Sequence, residues 1–214
     1  MMYIIMCGGD YDKFDTPKQL YKVNGERIVD RTIRLLKENG IDKVYISSNN
    51  PLFDTCDAIR LENKKNTYRL TKYGNKGNWL DAYYPVEEPV CYLYGDVYYS
   101  ENAIETIVNH KSNKNILFGS EAAKNVFHQN WGEPFAFKVN DYKTFFQGIK
   151  DVLVLKEKGL IKREPVSWEL YRYLNGLDIN IQRVLDDTYV VIDDGTIDID
   201  SPDDIERLGK FKEE

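Results

Sequence analysis

Short apolar runs recur along the chain, each stopped by glycine, asparagine or proline. Tyr3-Ile4-Ile5-Met6-Cys7 ends at Gly8-Gly9, Lys43 to Ser48 ends at Asn49-Asn50-Pro51, and Val90 to Tyr94 ends at Gly95. The first and last have no polar face, as strands covered on both sides of a parallel sheet require. Between the runs the spacing turns helical. From Gly25 to Asn39, Ile28, Val29, Ile33 and Leu36 share one face, with Asn24 as the expected cap and Asn39-Gly40 as a left-handed stop. Strand, loop, helix and strand in this order predict a right-handed parallel unit.

The rest of the chain divides in the same way. Ser100 is the expected cap of a helix whose inward face is Ile104, Ile107 and Val108. Asn140 is expected to cap a helix through Phe145, Phe146 and Ile149 to Leu155, and Val166 to Leu174 reads as another. Asn115 to Ser120 and Phe135 to Val139 read as strands, and Leu80, Ala82 and Tyr83 as a helix, whereas Leu52 to Thr71 is too weakly patterned to assign. Near the end, Thr188 to Ile192 and Thr196 to Asp200 are expected to form a hairpin through Asp193-Asp194-Gly195. Alternation places Asp198 and Asp200 on one face and Ile197 and Ile199 on the other. Ser201 then caps a terminal helix, with Pro202 at its first position and Asp203 and Asp204 in its first turn, where the helix dipole favours them.

Composition narrows the classes. The 214 residues suffice for one α/β domain or two small ones, and 42% hydrophobic with 30% charged residues is too apolar for disorder. No apolar run approaches the roughly 18 residues that span a bilayer, and Met1-Met2-Tyr3 leads straight into a strand, so a cytoplasmic protein with no membrane partner is expected. Cys7, Cys56 and Cys91 lack metal spacing and read as reduced core thiols. The net charge of -6 argues against a nucleic-acid partner. That charge is uneven: cations crowd Lys13 to Lys37, and carboxylates dominate Asp186 to Glu206. Together the two regions would suit a metal-nucleotide site.

Candidate chemistry collects at the strand ends. Gly8-Gly9 frees backbone N–H groups beside Lys13 and Lys18, which suits a polyphosphate, although the spacing is not that of a Walker loop. Asp96 follows Gly95 at the end of another buried run and has no evident structural task, which makes it a metal-ligand candidate. Asn75, Gly77 and Asn78, next to Trp79, could read the edge of a base. Trp168 and Glu169, with Trp131, are candidates for an acceptor pocket.

Three separated pieces resemble one family in order. CGGDYDKFDTPKQL is similar to the signature loop of nucleotidyltransferases of the sugar-nucleotide and cytidylyltransferase type. Tyr94-Gly95-Asp96 resembles their metal-binding aspartate, and DIDSPDDIERL, from Asp198 to Leu208, resembles a segment near the end of phosphocholine cytidylyltransferase-like members. The segment from Val23 to Ser47 also looks like the family's first helix and second strand. The resemblance implies a single three-layer α/β domain over residues 1–214, nucleotide-diphospho-sugar transferase-like, with a mixed, mainly parallel central sheet. It implies a Mg²⁺-dependent transfer of CMP or UMP from CTP or UTP to a phosphorylated small alcohol or sugar, releasing pyrophosphate, of the kind used in surface polysaccharide biosynthesis. Lys18 and Lys13 would be catalytic, Cys7, Gly8 and Gly9 would hold the nucleotide, and Asp96, Asp200 and Asp198 would hold Mg²⁺. Tyr11 and Lys13 depart from the family's usual Gly and Arg, and Asp10, Asp12 and Asp15 make this loop acidic. Two other readings are a glycosyltransferase of the related fold, for which Asp96-Val97-Tyr98 lacks the D-x-D pair, and a non-catalytic nucleotide-sensing or partner-binding domain. A homo-oligomer is compatible with the sequence.

Overall fold

The computed structural model of the chain describes residues 1–8, 14–63, 78–121 and 132–210. At its centre β1 (Met2–Met6) lies parallel to β6 (Val90–Tyr94), with Met2 opposite Val90 and Met6 opposite Tyr94. On the other side of β1 come β4 (Val44–Ser47) and β5 (Ile59–Leu61), both parallel. The chain therefore builds outward from β1 and then returns to β1's opposite edge as β6. That reversal opens a crevice between the carboxyl ends of β1 and β6, where ligands collect in open α/β sheets.

Beyond β6 the sheet is completed by β9 (Pro134–Val139), β8 (Ile116–Gly119) and β10 (Tyr189–Val191). The order is β10-β8-β9-β6-β1-β4-β5. Only β9 runs against its neighbours, so the seven-stranded sheet is mixed and mainly parallel, as expected. Ile4, Ile5 and every residue of β6 from Val90 to Leu93 are buried. Such strands carry no charged side chain because helices and loops leave neither face to water.

The helices are α1 (Ile28–Glu38), α2 (Glu101–Asn109), α3 (Tyr142–Glu157), α4 (Ser167–Leu174) and α5 (Pro202–Lys210). Ser100 caps α2 as expected, its hydroxyl accepting from Ala103 N. Two other caps differ. Asn24 does not cap α1: it and Gly25 take φ of 51° and 89° and turn a short hairpin, β2 (Lys22–Val23) with β3 (Glu26–Arg27). An Asn-Gly pair suits that turn because both central residues need positive φ. Asp141, not Asn140, caps α3 by accepting from Thr144 N, while Asn140 N donates to the Asn115 side chain. The segment after Asn78 forms only a 3₁₀ turn, Trp79–Ala82. Of Leu52 to Thr71, left unassigned from the sequence, the described residues up to Asn63 continue a 3₁₀ turn, Pro51–Thr55, and then form β5.

The terminal hairpin is also not formed. Tyr189–Val191 joins the sheet edge beside β8, and β11 (Ile197–Asp198) pairs antiparallel with β7 (Val97–Tyr98) instead. The reason is Asp194, which accepts from Thr196 N and from the Ser100 hydroxyl. The turn is thereby tied to the start of α2 rather than closed on itself. The alternation does hold: Ile197 and Ile199 are buried in a small cluster with Phe14, Val23, Ile28, Tyr98 and Leu208. This second core fastens the C-terminal segment beneath the N-terminal one. Cys7, Cys56 and Cys91 are buried and form no disulfide. No described helix is long and apolar enough to cross a membrane.

Candidate active site

The crevice is set by how closely β1 and β6 end. Gly95 N donates to the Met6 carbonyl at 3.1 Å, and a Cβ on Gly95 would stand 2.6 Å from that oxygen and 2.7 Å from Cys7 Sγ. Only glycine fits there, and Asp96 is thereby delivered beside Gly8 on the floor of a cavity of about 260 Å³. Asp198 and Asp200 enter the same cavity from the C-terminal segment. That segment is locked by a hydrogen bond from Ile199 N to the Asp96 carbonyl at 2.8 Å.

Lys18 joins the three carboxylates from a third direction. It opens a 3₁₀ turn after Pro17, and its ammonium lies 2.9 Å from Asp96 Oδ2 and 3.9 Å from Asp200 Oδ1. It also donates to the Ile199 carbonyl at 2.6 Å. Burial alone would lower the Lys18 pKa, but Asp96, Asp198 and Asp200 outweigh it and hold the ammonium above its usual range. Lys18 is not among the residues lining the open cavity and is buried beside Asp96, which does line it.

Asp198 is the most constrained of the acids. Its residue is half-buried, but Oδ1 is fully covered and has no hydrogen-bond partner among the described residues. Burial first, and then the charge of Asp96, push its carboxyl well above the usual range, with Asp200 and Glu133 adding to the shift and Lys18 opposing it. The surplus of negative charge and the uncompensated oxygen fit a divalent cation. Among the described residues, however, no three acidic, histidine or cysteine side chains converge into a ready-made cage. Mg²⁺ does not need one, because it commonly takes one or two carboxylates and completes its shell with water and substrate phosphate.

Of the other expected residues, Gly8 lines the cavity, and Cys7 is buried beneath Gly95, its N–H held by the Ser47 carbonyl at 3.0 Å. Asn78 does not line it: its side chain turns to Asp81 at the head of the Trp79–Ala82 turn. Trp168 lines the cavity. Glu169 does not, being buried and holding the start of α4 by accepting from Val166 N and from Arg163 and Arg172. Gly9, Lys13, Asn75, Gly77 and Trp131 lie outside the described residues, as do Asp10, Tyr11 and Asp12.

Glu133 was not singled out in the sequence, yet it is buried at the cavity wall and accepts from Asp198 N at 3.1 Å. It gets there because β9 is antiparallel, so the start of β9 meets the end of β6. Tyr94 and Trp79 form an aromatic side wall, edge to face with ring centroids 5.8 Å apart. Most of the N-terminal cations are paired elsewhere. Arg27 meets Asp30, Arg34 meets Glu26 and Glu38, and Lys37 meets Asp57, which leaves Lys18 as the described one that reaches the C-terminal acids.

The sheet reverses between β1 and β6 and gathers acids at the reversal, where open α/β sheets bind nucleotides, in keeping with the nucleotide-diphospho-sugar transferase-like fold expected. The sequence model of the MobA-like NTP transferase domain matches residues 3–145, and the chain belongs to that family. No curated protein matches it. Among solved structures, the chain is similar to the inositol-1-phosphate CTP transferase from T. maritima, at 16% identity and TM-score 0.56, covering 98% of this chain and 95% of that one. It is also similar to CTP:phosphocholine cytidylyltransferase from Streptococcus pneumoniae, at 14% identity and TM-score 0.54, covering 98% and 97%. A third is 4-diphosphocytidyl-2C-methyl-D-erythritol synthase from Anaerococcus prevotii, at 16% identity and TM-score 0.55, covering 98% and 96%. At these identities the likeness is one of fold.

Proposed function

We propose that this protein transfers a nucleotidyl group from a nucleoside triphosphate to a phosphorylated small alcohol or sugar. An oxygen of the acceptor phosphate attacks the α-phosphorus in line, the α–β bridging bond breaks, and pyrophosphate leaves. The observation that carries this reading is the convergence of Lys18, Asp96, Asp198 and Asp200 at the crevice between β1 and β6. Phosphoryl-type transfer needs positioning and charge neutralisation more than covalent help, and this cluster supplies both signs of charge. Asp96 and Asp200, with Asp198, would hold Mg²⁺, which when bound offsets negative charge on the α-phosphate. Lys18 would exchange its carboxylate partners for phosphate oxygens as the nucleotide enters. Gly8 leaves room for the phosphates to lie against backbone, and Lys13 and Gly9 belong to the same loop. Solved structures of this fold include cytidylyl-handling enzymes and a putative thymidylyltransferase by name, so the choice of base is left to the test below.

The test is pyrophosphate release from CTP, UTP, GTP and ATP with Mg²⁺ and a set of phosphorylated acceptors. Release with one triphosphate, abolished in both Asp96→Ala and Lys18→Ala, is the expected result. Triphosphate binding without turnover for any acceptor, or full activity in both variants, would overturn the reading.

A further inference from the structure

Beyond Trp168 lies a second cavity, of about 380 Å³, that shares Gly132 and Trp168 with the first. Its wall carries Lys162, Arg163 and Arg172 against the single carboxylate of Glu169, with the amides of Asn180 and Gln182. Glu169 is shared: Oε1 accepts from Arg163 Nε at 2.8 Å and lies 3.4 Å from Arg172 Nη1, while Oε2 is taken by Val166 N. Lys162 is exposed and has no acidic partner among the described residues. Among the described residues lining the cavity, three cations thus face one carboxylate, with Asp178 acting on Arg172 from outside the lining.

Arg172 is the more telling of these groups. It is 5% exposed, and its Nε is covered and has no hydrogen-bond partner among the described residues. Nη1 is used on the Ile179 carbonyl at 3.0 Å, and the guanidinium lies 6.0 Å from the Trp168 ring. Burial, and the nearby Arg163, hold its pKa below the usual range against the pull of Glu169 and Asp178. A buried guanidinium with an unused donor and a second one sharing its ion-paired carboxylate is a costly arrangement when no anion completes it.

From this geometry we infer that the cavity is a subsite for a second oxyanion, a carboxylate, at the far end of the acceptor. The inference rests on the transferase reading, because it takes the reacting phosphate to sit in the first cavity and the acceptor to pass Trp168. Planar guanidinium groups recognise such oxyanions through paired charge-assisted hydrogen bonds, and a quaternary or primary ammonium terminus is repelled by the same wall. The acceptor is therefore a doubly anionic molecule rather than a zwitterion.

Two matched pairs of probes test this by titration calorimetry on the full chain: 3-phosphoglycerate against glycerol 3-phosphate, and 6-phosphogluconate against sorbitol 6-phosphate. Within each pair the two differ at the far end by a carboxylate. The carboxylate member of at least one pair is expected to bind about tenfold more tightly. Lys162→Ala and Arg163→Gln, both at exposed positions and checked for folding by thermal melting, are each expected to collapse that difference. Equal affinity within both pairs, a preference that survives both variants, or no binding by either carboxylate member overturns the inference. Pyrophosphate release is followed separately, so a chain that binds the carboxylate probes but releases none keeps the anion subsite and loses the transferase reading.

Discussion

Lys18 donates to the carbonyl of Ile199 at 2.6 Å across 181 positions of sequence. This contact brings the only described N-terminal cation of the site up to the acids of the C-terminal segment. The ammonium stands where a metal ion would find its first carboxylate, so cation and lysine compete for the same oxygens.

Lys18→Met tests that competition. Removing the ammonium leaves Asp96, Asp198 and Asp200 facing one another, and the variant should lose about 2 kcal/mol of stability in metal-free buffer. Addition of MgCl₂ should then raise its melting temperature more than that of the wild type, because the ion replaces a missing charge. An equal Mg²⁺ response in both proteins would show that the lysine and the ion do not share the site.

Gly95→Ala should destabilise the fold by about 1–3 kcal/mol in urea denaturation. The clash is with the Met6 carbonyl, which is fixed by the hydrogen bond from Gly95 N, so shortening Cys7 to alanine should not restore stability. Recovery in the double variant would place the steric limit on the thiol instead.

Asp204 accepts from Asp200 N, Ser201 N and the Ser201 hydroxyl, which caps α5 and fixes the backbone that carries Asp200. Asp204→Ala should cost about 1–2 kcal/mol. It should also weaken pyrophosphate release, but less than Asp200→Asn does, since the carboxylate is displaced rather than removed. A variant as inactive as Asp200→Asn would give Asp204 a direct part in the chemistry.

Gln19 is 1% exposed, and neither polar atom of its side-chain amide has a partner among the described residues. Gln19→Met keeps the length and removes the desolvation cost, so thermal melting should show a gain of about 1 kcal/mol. A loss of stability would mean that the amide is satisfied in solution.

Much of the fold was legible because its signals are local. The doubly buried runs gave β1 and β6, the short apolar run before Asn49 gave β4, and the inward face of α2 and its Ser100 cap stood as expected. The Asn24-Gly25 turn was also present in the sequence, but it was read as a helix cap because it precedes a helical period directly. The Asp193-Asp194-Gly195 turn misled in the opposite sense. Its residues suit a hairpin, and only Ser100 and Asn102, from a distant part of the chain, show that Asp194 is engaged elsewhere.

The sequence by itself determined which residues would be strand, helix face and candidate acid, because hydrophobic period, capping and turn chemistry act over a few residues. It singled out Asp96, Asp198 and Asp200 as groups without a full structural task, and Lys18 as a cation placed to meet phosphate. The tertiary structure alone decided that they meet, that β9 runs antiparallel and so brings Glu133 to the wall, and that Glu169 is taken up by Arg163 and Arg172. Strand order and direction are set by burial over the whole chain, and no local pattern encodes which strand end will face which.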